Sequence, residues 1–132
     1  MPLTASAFAD WLDRYVAAWR SNDAALIGAL FSEDASYSYR AGTDVVRGRA
    51  AIVEDWLREP DDPDTWDARY EPLAIDGDVH VARGYSRYVN ADGSPRDEYS
   101  NIFVCRFDDA GQCSEFIEWW MKTAPTEGAS PA

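Results

Sequence analysis

The chain reads DEYSNIFVCRFDDAGQCSEFIEWWM from residue 97 to residue 121, which gives two alternating segments joined by a turn sequence. Both segments are rich in aromatic and β-branched residues, which favour β-strands, and successive side chains of a strand point to opposite faces. The linking residues 108–111, Asp-Asp-Ala-Gly, are typical turn formers. The stretch therefore predicts a β-hairpin whose two faces carry different side chains.

The length of the turn decides which residues face each other across this hairpin. A four-residue loop at 108–111 pairs Phe107 with Gln112. The pairs that follow are Cys105 with Ser114, Phe103 with Phe116, Asn101 with Glu118 and Tyr99 with Trp120. This face combines large rings with an amide opposite a carboxylate, which is the composition of a pocket wall.

Glu118 is the unusual residue of the hairpin, because it lies between Phe116 and Trp120 on the aromatic face. Three interpretations are open: a surface residue whose facing is inverted, a structurally paired buried charge, or a site residue with a tuned pKa. Asn101 is expected beside Glu118. It is either its satisfied buried partner or a site residue that orients a carbonyl or a water.

The opposite face of the hairpin is also apolar. It carries Ile102, Val104, Ile117, Trp119 and Met121. A second subunit packing on the sheet explains such a patch most simply, so we predict a homodimer through this outer face. The same register places Cys105 and Cys113 on opposite faces, and no disulfide between them is expected.

The first half of the chain predicts three helices. The first is amphipathic and buries Phe8, Trp11, Leu12, Tyr15, Val16 and Trp19. The second is shorter and carries Leu26, Ile27, Leu30 and Phe31, and the third carries Ile52, Val53, Trp56 and Leu57. Pro60 must end the third helix. Tyr15 and Trp19 lie on a stripe that core packing alone also explains.

The remaining segments of the chain predict turns and strands. A turn at 32–34 and a short strand at 35–39 come first, and residues 42–48 are predicted as a loop. Further strands are predicted at 67–75, 79–89, 97–107 and 113–121. Together they give one domain at 6–122, followed by a flexible tail at 123–132 that is rich in Pro, Ala, Gly and Ser.

The facing of the strand at 79–89 depends on the loop around Asp92 and Gly93. A five-residue loop at 91–95 sends Arg83, Tyr85 and Arg87 inward, and this is the register that we favour. A tight Asp-Gly turn instead sends Ala82, Gly84, Ser86 and Tyr88 inward. An inward Arg83 would neutralise Glu118, whereas an outward one would be ordinary solubilising charge.

Composition excludes several classes of function. The 132 residues suit one compact domain, and 12 Lys and Arg against 24 Asp and Glu give a net charge of −12. This charge repels nucleic acid and anionic membranes, and no apolar stretch reaches membrane-spanning length, so a soluble cytoplasmic protein is expected. His80, expected at the surface, and two cysteines cannot complete a metal shell, and no Gly-rich phosphate loop occurs. No metal and no cofactor are therefore expected.

Four short motifs carry a family resemblance. They are Asp-Arg-Tyr-Val-Ala-Ala-Trp at 13–19, Phe-Ser-Glu-Asp-Ala at 31–35, Gly-Arg-Ala-Ala-Ile at 48–52 and Arg-Phe-Asp-Asp-Ala-Gly at 106–111. With three helices before a long sheet, the chain resembles the nuclear-transport-factor-two-like superfamily over about residues 6–122, and within it the SnoaL-like proteins. The resemblance implies an α+β fold: a cone-shaped α+β barrel with three N-terminal helices packed on a strongly curved, mainly antiparallel sheet that encloses a pocket.

The same resemblance implies which site residues carry over. Ketosteroid isomerases have a hydrogen-bonding Tyr that matches Tyr15, but their two carboxylates would fall at Tyr39 and Phe103. Steroid isomerisation by that mechanism is therefore not expected. The Asp-Arg-Asp set of limonene epoxide hydrolases has only a loose analogue in Asn101, Glu118 and Arg83. Polyketide cyclases of the group use a carboxylate acid/base, and Glu118 is the residue that stands in its place.

The leading hypothesis is a cofactor-independent enzyme that transfers protons on a small, apolar, cyclic substrate, as an isomerase, cyclase, dehydratase or epoxide hydrolase. Glu118 would act as general acid or base, with Asn101 and Tyr15 as hydrogen-bond donors. The predicted substrate-binding residues are Trp19, Tyr39, Trp56, Arg83, Tyr85, Tyr99, Phe103, Phe116 and Trp120. The alternative is a module that binds a ligand or dimerises without chemistry.

Overall fold

The structure is a computed structural model, described here for residues 2–123. Three helices, α1 (Ala5–Ser21), α2 (Ala24–Gly28) and α3 (Arg49–Arg58), and a 3-10 turn at Pro63–Thr65 pack on one sheet. The strands are β1 (Phe31–Arg40), β2 (Thr43–Arg47), β3 (Trp66–Asp76), β4 (Val79–Val89), β5 (Pro95–Phe107) and β6 (Cys113–Lys122). The sheet order is β2-β1-β6-β5-β4-β3. The predicted α+β class, with three helices on a curved, mainly antiparallel sheet, is confirmed.

The predicted flexible tail, 123–132, lies outside the described residues except for Thr123. The backbone N–H and the hydroxyl of Thr123 both donate to the Glu98 carbonyl oxygen, at 2.9 and 3.1 Å. Within 2–123, no helix combines the length and apolar character needed to cross a membrane.

Helix α1 has well-defined ends. Thr4 caps its start by accepting a hydrogen bond from the Ala7 N–H. At its other end Asn22 adopts a left-handed conformation with φ of 53° and donates to the Ala18 carbonyl. The helix buries Phe8, Trp11, Leu12, Tyr15 and Ala18 against the sheet. The predicted apolar stripe is therefore the face that builds the core.

Strand β1 is longer than predicted, and β2 was predicted as a loop. β1 begins at Phe31 and contains the predicted turn at 32–34, where the pairing with β6 is irregular. The chain then reverses at Gly42, with φ of 80°, and β2 pairs back on β1. β2 is a short, mostly exposed edge strand, so its sequence lacks the apolar alternation that predicts a strand.

The β5–β6 hairpin keeps the predicted facing but not the predicted partners. The loop has five residues, 108–112, because an Asp108 side-chain oxygen accepts from the N–H groups of Ala110 and Gln112. A bulge at Ser114 then shifts the register by one more residue. The two one-residue shifts add to two, which returns the β6 side chains beyond the bulge, from Glu115 onward, to their predicted faces. Phe103 is therefore opposite Glu118, and the predicted direct pairing of Asn101 with Glu118 is wrong.

Strand β4 has the facing that we did not favour. Arg83 pairs with Ile102 and Tyr85 with Ser100, so both side chains lie on the outer face, and their predicted inward facing is wrong. Arg83 forms an ion pair with Glu71 across the outer face, at 3.1 Å. Gly84 faces inward where β3 and β4 approach closely, and a Cβ there would collide with the β3 backbone.

His80 is also on the inner face of β4 and is fully buried, so its predicted surface position is wrong. Its Nε2 accepts the Leu3 N–H at 2.9 Å, and its Nδ1 lies 2.9 Å from the Asp78 carbonyl oxygen. In this pattern Nε2 is the acceptor and Nδ1 carries the proton that is donated to the Asp78 carbonyl. Cys105 and Cys113 are both buried free thiols in hydrogen-bonding contact, which contradicts their predicted placement on opposite faces. The Ser114 bulge is the reason.

Candidate functional site

An open-mouthed cavity of about 230 Å³ lies between α1, α3 and the inner face of the sheet. Its walls are aromatic, and the side chains are Tyr15, Trp19, Tyr37, Tyr39, Trp56, Tyr70 and Tyr88. Its polar lining consists of Asn22, Asp55, Glu59, Asp61, Ser86 and Glu118. An apolar cavity of about 150 Å³ holds benzene, so this volume suits a single ring with substituents.

The lining residues come from six helices and strands and from the segment between α3 and β3, and the period of each element decides which of its side chains face the pocket. Tyr15 and Trp19 are one helical turn apart on α1. Tyr37 and Tyr39 share a face of β1 because successive strand side chains alternate. Trp56 enters from α3. The pocket is therefore a property of the assembled fold, and no single element forms it.

Glu118 is the only carboxylate that the sheet contributes to the pocket lining within residues 2–123. Burial raises the pKa of its carboxyl to about 7, and the hydrogen bond from Asn101 opposes that rise. The Glu118 carboxyl therefore changes its protonation state near neutral pH. The first interpretation, a surface residue with inverted facing, is wrong.

Asn101 lies behind the pocket wall and hydrogen-bonds the Glu118 carboxylate. Its Nδ2 donates to Glu118 Oε2 at 2.6 Å, and its Oδ1 accepts from Ser86 Oγ at 3.2 Å. Ser86 is also hydrogen-bonded to Tyr70. Asn101 reaches Glu118 diagonally, since Trp120 is its direct partner on β6. The predicted contact is therefore present although the predicted register is not.

Two tyrosine hydroxyls meet in the pocket. Tyr15 and Tyr37 are hydrogen-bonded through their hydroxyl oxygens at 2.6 Å. Burial raises the pKa of both phenols well above the ordinary value, and the nearby charge of Glu118 raises it further. Both side chains therefore stay protonated, and one hydroxyl of the pair is left with a proton to donate to a bound molecule.

The mouth of the pocket is acidic. Asp55 hydrogen-bonds Tyr39 and pairs with Arg58 at 3.1 Å. Asp61 Oδ2 accepts from Trp19 Nε1 at 3.0 Å, which fixes this carboxylate at the rim. Burial is the main cause that raises the pKa of the Tyr39 and Tyr88 phenols. The hydrogen bond to Asp55 is the next cause for Tyr39, and the charge of Asp61 is the next cause for Tyr88.

The predicted site residues fall into three groups. Five line the pocket: Tyr15, Trp19, Tyr39, Trp56 and Glu118. Asn101, Phe103 and Phe116 are buried behind its wall, with the Phe116 ring stacked on Tyr15 at 5.3 Å. Tyr99 and Trp120 contact each other outside the lining, and Arg83 and Tyr85 lie on the outer face, so these four do not meet the pocket.

Several lining residues were not predicted. Tyr37 could have been predicted, because it lies two residues from Tyr39 on the predicted strand and shares its face. Ser86 and Tyr88 belonged to the register that was not favoured. Asp55 lies beside the predicted buried stripe of α3, and Glu59 and Asp61 lie in the connector, residues 59–65, between α3 and β3. None of the three carries a local signal, since charged side chains in such positions are usually solvated.

No three His, Cys, Asp or Glu side chains between residues 2 and 123 are grouped so that they could hold a metal ion. The site chemistry available to the chain is that of one tuned carboxyl, hydroxyl donors and aromatic rings.

Comparison with known proteins identifies the family. The model of the SnoaL-like domain matches residues 12–116. An LEH-like epoxide hydrolase from M. tuberculosis superposes with a TM-score of 0.65 at 13% identity, covering 89% of this chain and 84% of that one. An NTF-2 like protein of unknown function from Burkholderia xenovorans gives a TM-score of 0.67 at 13% identity, covering 92% and 90%.

No curated protein matches the sequence. At 13% identity the two solved structures establish the fold alone. The family model, in contrast, spans most of the chain, from α1 to β6. The chain therefore belongs to the SnoaL-like domain family, with a pocket in the position where the helices cover the inner face of the sheet.

Proposed function

We propose that this protein is a cofactor-independent enzyme that moves a proton on a small cyclic compound, with Glu118 as the general acid/base. The observation that supports this most strongly is a carboxyl with a pKa of about 7 inside an aromatic pocket. Such a group accepts and returns a proton with nearly equal ease at neutral pH. A carboxylate kept only for solubility would lie in water.

The other pocket residues have complementary roles in this proposal. Glu118 takes a proton from a carbon next to a carbonyl, the electron pair moves to the carbonyl oxygen, and a hydroxyl of the Tyr15–Tyr37 pair donates to that oxygen. Glu118 then returns the proton to another carbon or assists departure of a leaving group. Asn101 positions the Glu118 carboxylate, and the rings exclude water.

This chemistry fits an isomerase, cyclase or dehydratase, and the same carboxylate can activate water for epoxide opening. One solved neighbour is described as an LEH-like epoxide hydrolase, which supports the last class by likeness of fold only. The apolar walls and single-ring volume favour a small cyclic substrate.

A second candidate is a binding module without chemistry. It is favoured by the hydrogen bonds from Ser86 to Asn101 and from Asn101 to Glu118, which give the Glu118 carboxylate a structural partner within the protein. In this reading the raised pKa of Glu118 is a by-product of burial.

The two candidates predict different effects of Glu118→Gln on turnover. We expect this variant to lose about 100-fold or more in kcat on any ring ketone, enone or epoxide that the wild type turns over, because the amide cannot transfer a proton. Glu115→Gln on the same strand is the control, since Glu115 pairs with Arg106 on the outer face. Unchanged turnover in Glu118→Gln contradicts the catalytic role, and binding without turnover in the wild type favours the module.

We also propose that the outer face, formed by Ile102, Val104, Ile117, Trp119 and Met121, packs against a second copy of the chain. Trp119 is 47% exposed and Met121 is 68% exposed. Ion pairs from Arg83 to Glu71 and from Arg106 to Glu115 flank the apolar strip and neutralise its edges. A two-fold pairing of this face would bury the strip on both copies.

A further inference from the structure

We propose that the pocket selects ring compounds that carry a positive charge, as protonated or quaternary amines do, over neutral and anionic compounds of the same shape. The proposal deepens the proposed function, since it names the class of molecule that the same pocket takes and rests on that pocket being the site. Its basis is the combination of π faces and carboxylates around one cavity.

The aromatic rings around the cavity favour a cation. Five tyrosines and two tryptophans line the cavity, and the face of each ring attracts a cation. Tyr88 in the lining, and Trp66 beside the lining residue Trp19, already do this with cations of the protein itself. The Arg96 guanidinium lies 5.3 Å from the Tyr88 ring centre, and Arg20 lies 4.2 Å from that of Trp66, which stacks on Trp19.

The carboxylates around the cavity favour a cation as well. Four carboxylates and no basic side chain are among the lining residues. Arg58 partly neutralises Asp55, but within residues 2–123 no ion pair involves Glu59, Asp61 or Glu118. An entering anion is therefore repelled at the mouth and again beside Glu118, whereas a cation is attracted at both places.

The occupant is an organic cation rather than a metal ion. The described carboxylates are not grouped closely enough to coordinate a metal. Aromatic walls suit a weakly hydrated ammonium group on a carbon frame, and the cavity of about 230 Å³ has room for one ring and a trimethylammonium group.

The test compares three probes of similar size: phenyltrimethylammonium, its neutral carbon isostere tert-butylbenzene, and benzoate. Affinities are measured at pH 8 and low salt through the fluorescence of the pocket tryptophans. We expect the cation to bind about tenfold or more tightly than the isostere, and benzoate to bind most weakly. Equal affinities for the cation and the isostere overturn the proposal.

Variants locate the source of the preference. Asp61→Asn and Glu118→Gln should each reduce the preference for the cation about threefold or more, while tert-butylbenzene still binds and shows that the pocket is intact. Asp64→Asn is the matched control, because it removes the same charge from the same connector but lies outside the lining. A preference that survives in the Asp61→Asn/Glu118→Gln double variant overturns the proposal.

The result of this binding test can be distinguished from the result of the turnover test of the proposed function. Loss of turnover in Glu118→Gln without any preference for the cation leaves the proton-transfer function standing and removes the charge selectivity. Preference for the cation without turnover of any ring compound supports the charge selectivity and removes the enzyme.

Discussion

Glu118 shows at the scale of one residue how position decides chemistry. A carboxylate on the surface contributes little to stability, whereas Glu118 lies among the aromatic rings of the pocket, where Asn101 donates a hydrogen bond to it. Its place on the inner face followed from strand alternation in the sequence. Its pKa did not, because the pKa depends on how completely α1, α3 and β1 cover it.

Burial of Glu118 makes stability depend on pH, and the direction follows from linkage. The pKa rises from the ordinary 4.5 to about 7, so between these values the folded state holds a proton that the unfolded state has released. The free energy of unfolding therefore falls as pH rises through this window, by up to about 3 kcal/mol at about 1.4 kcal/mol per pH unit.

We expect Glu118→Gln to remove this loss, since the amide does not ionise. Chemical denaturation at pH 5 and pH 8 measures it: the variant should gain stability over the wild type at pH 8 by up to about 3 kcal/mol more than at pH 5. Glu115→Gln should show no such difference. A gain that is the same at both pH values would mean that Glu118 is solvated.

At the scale of elements, the facing of the β5–β6 hairpin was predicted correctly because two errors in register cancelled. The facing of β4 was not, because it depends on packing against β3. The β5–β6 hairpin kept its faces because the longer loop and the Ser114 bulge each add one residue. Neither feature has a strong local signal. The facing of β4 was predicted wrongly because two loop lengths fit its sequence, and the contact of Gly84 with β3 selects between them.

Gly84 provides a test of this contact. We expect Gly84→Ala to cost about 3 kcal/mol or more, because the added Cβ would overlap the Arg69 carbonyl oxygen and the Tyr70 ring. Gly28→Ala in α2 is the matched control. A Cβ there meets only Arg49 and Val53 at ordinary distances, so its effect should be within about 1 kcal/mol and stabilising. Equal effects in thermal denaturation would contradict the close β3–β4 approach.

At the scale of the whole molecule, the sheet separates two tasks. Its inner face and the helices make the pocket, and its outer face is left uncovered by the described residues. The fold could be predicted from motifs spread along the chain, but the pocket mouth could not. Asp55, Glu59 and Asp61 reach it only through the packing of α3 and the connector against α1.

The uncovered outer face leads to a prediction of assembly. We expect the wild type to sediment as a dimer and Trp119→Glu to sediment as a monomer, because a carboxylate would be buried in the centre of the interface. Leu26→Glu is the control, since Leu26 is also half exposed but lies on α2. A monomeric wild type at micromolar concentration would contradict the proposed interface.

The one parallel pairing in the sheet, between β1 and β6, has a consequence for synthesis of the chain. Tyr37 lies beside Phe116, and in the sheet formed by residues 2–123 β6 alone joins the β2–β1 pair to the β5–β4–β3 layer. A nascent chain therefore holds its sheet in two unjoined parts until the ribosome releases β6. Since β6 also carries Glu118, closure of the sheet and arrival of the acid are one event. A truncated product has neither the closed sheet nor the acid.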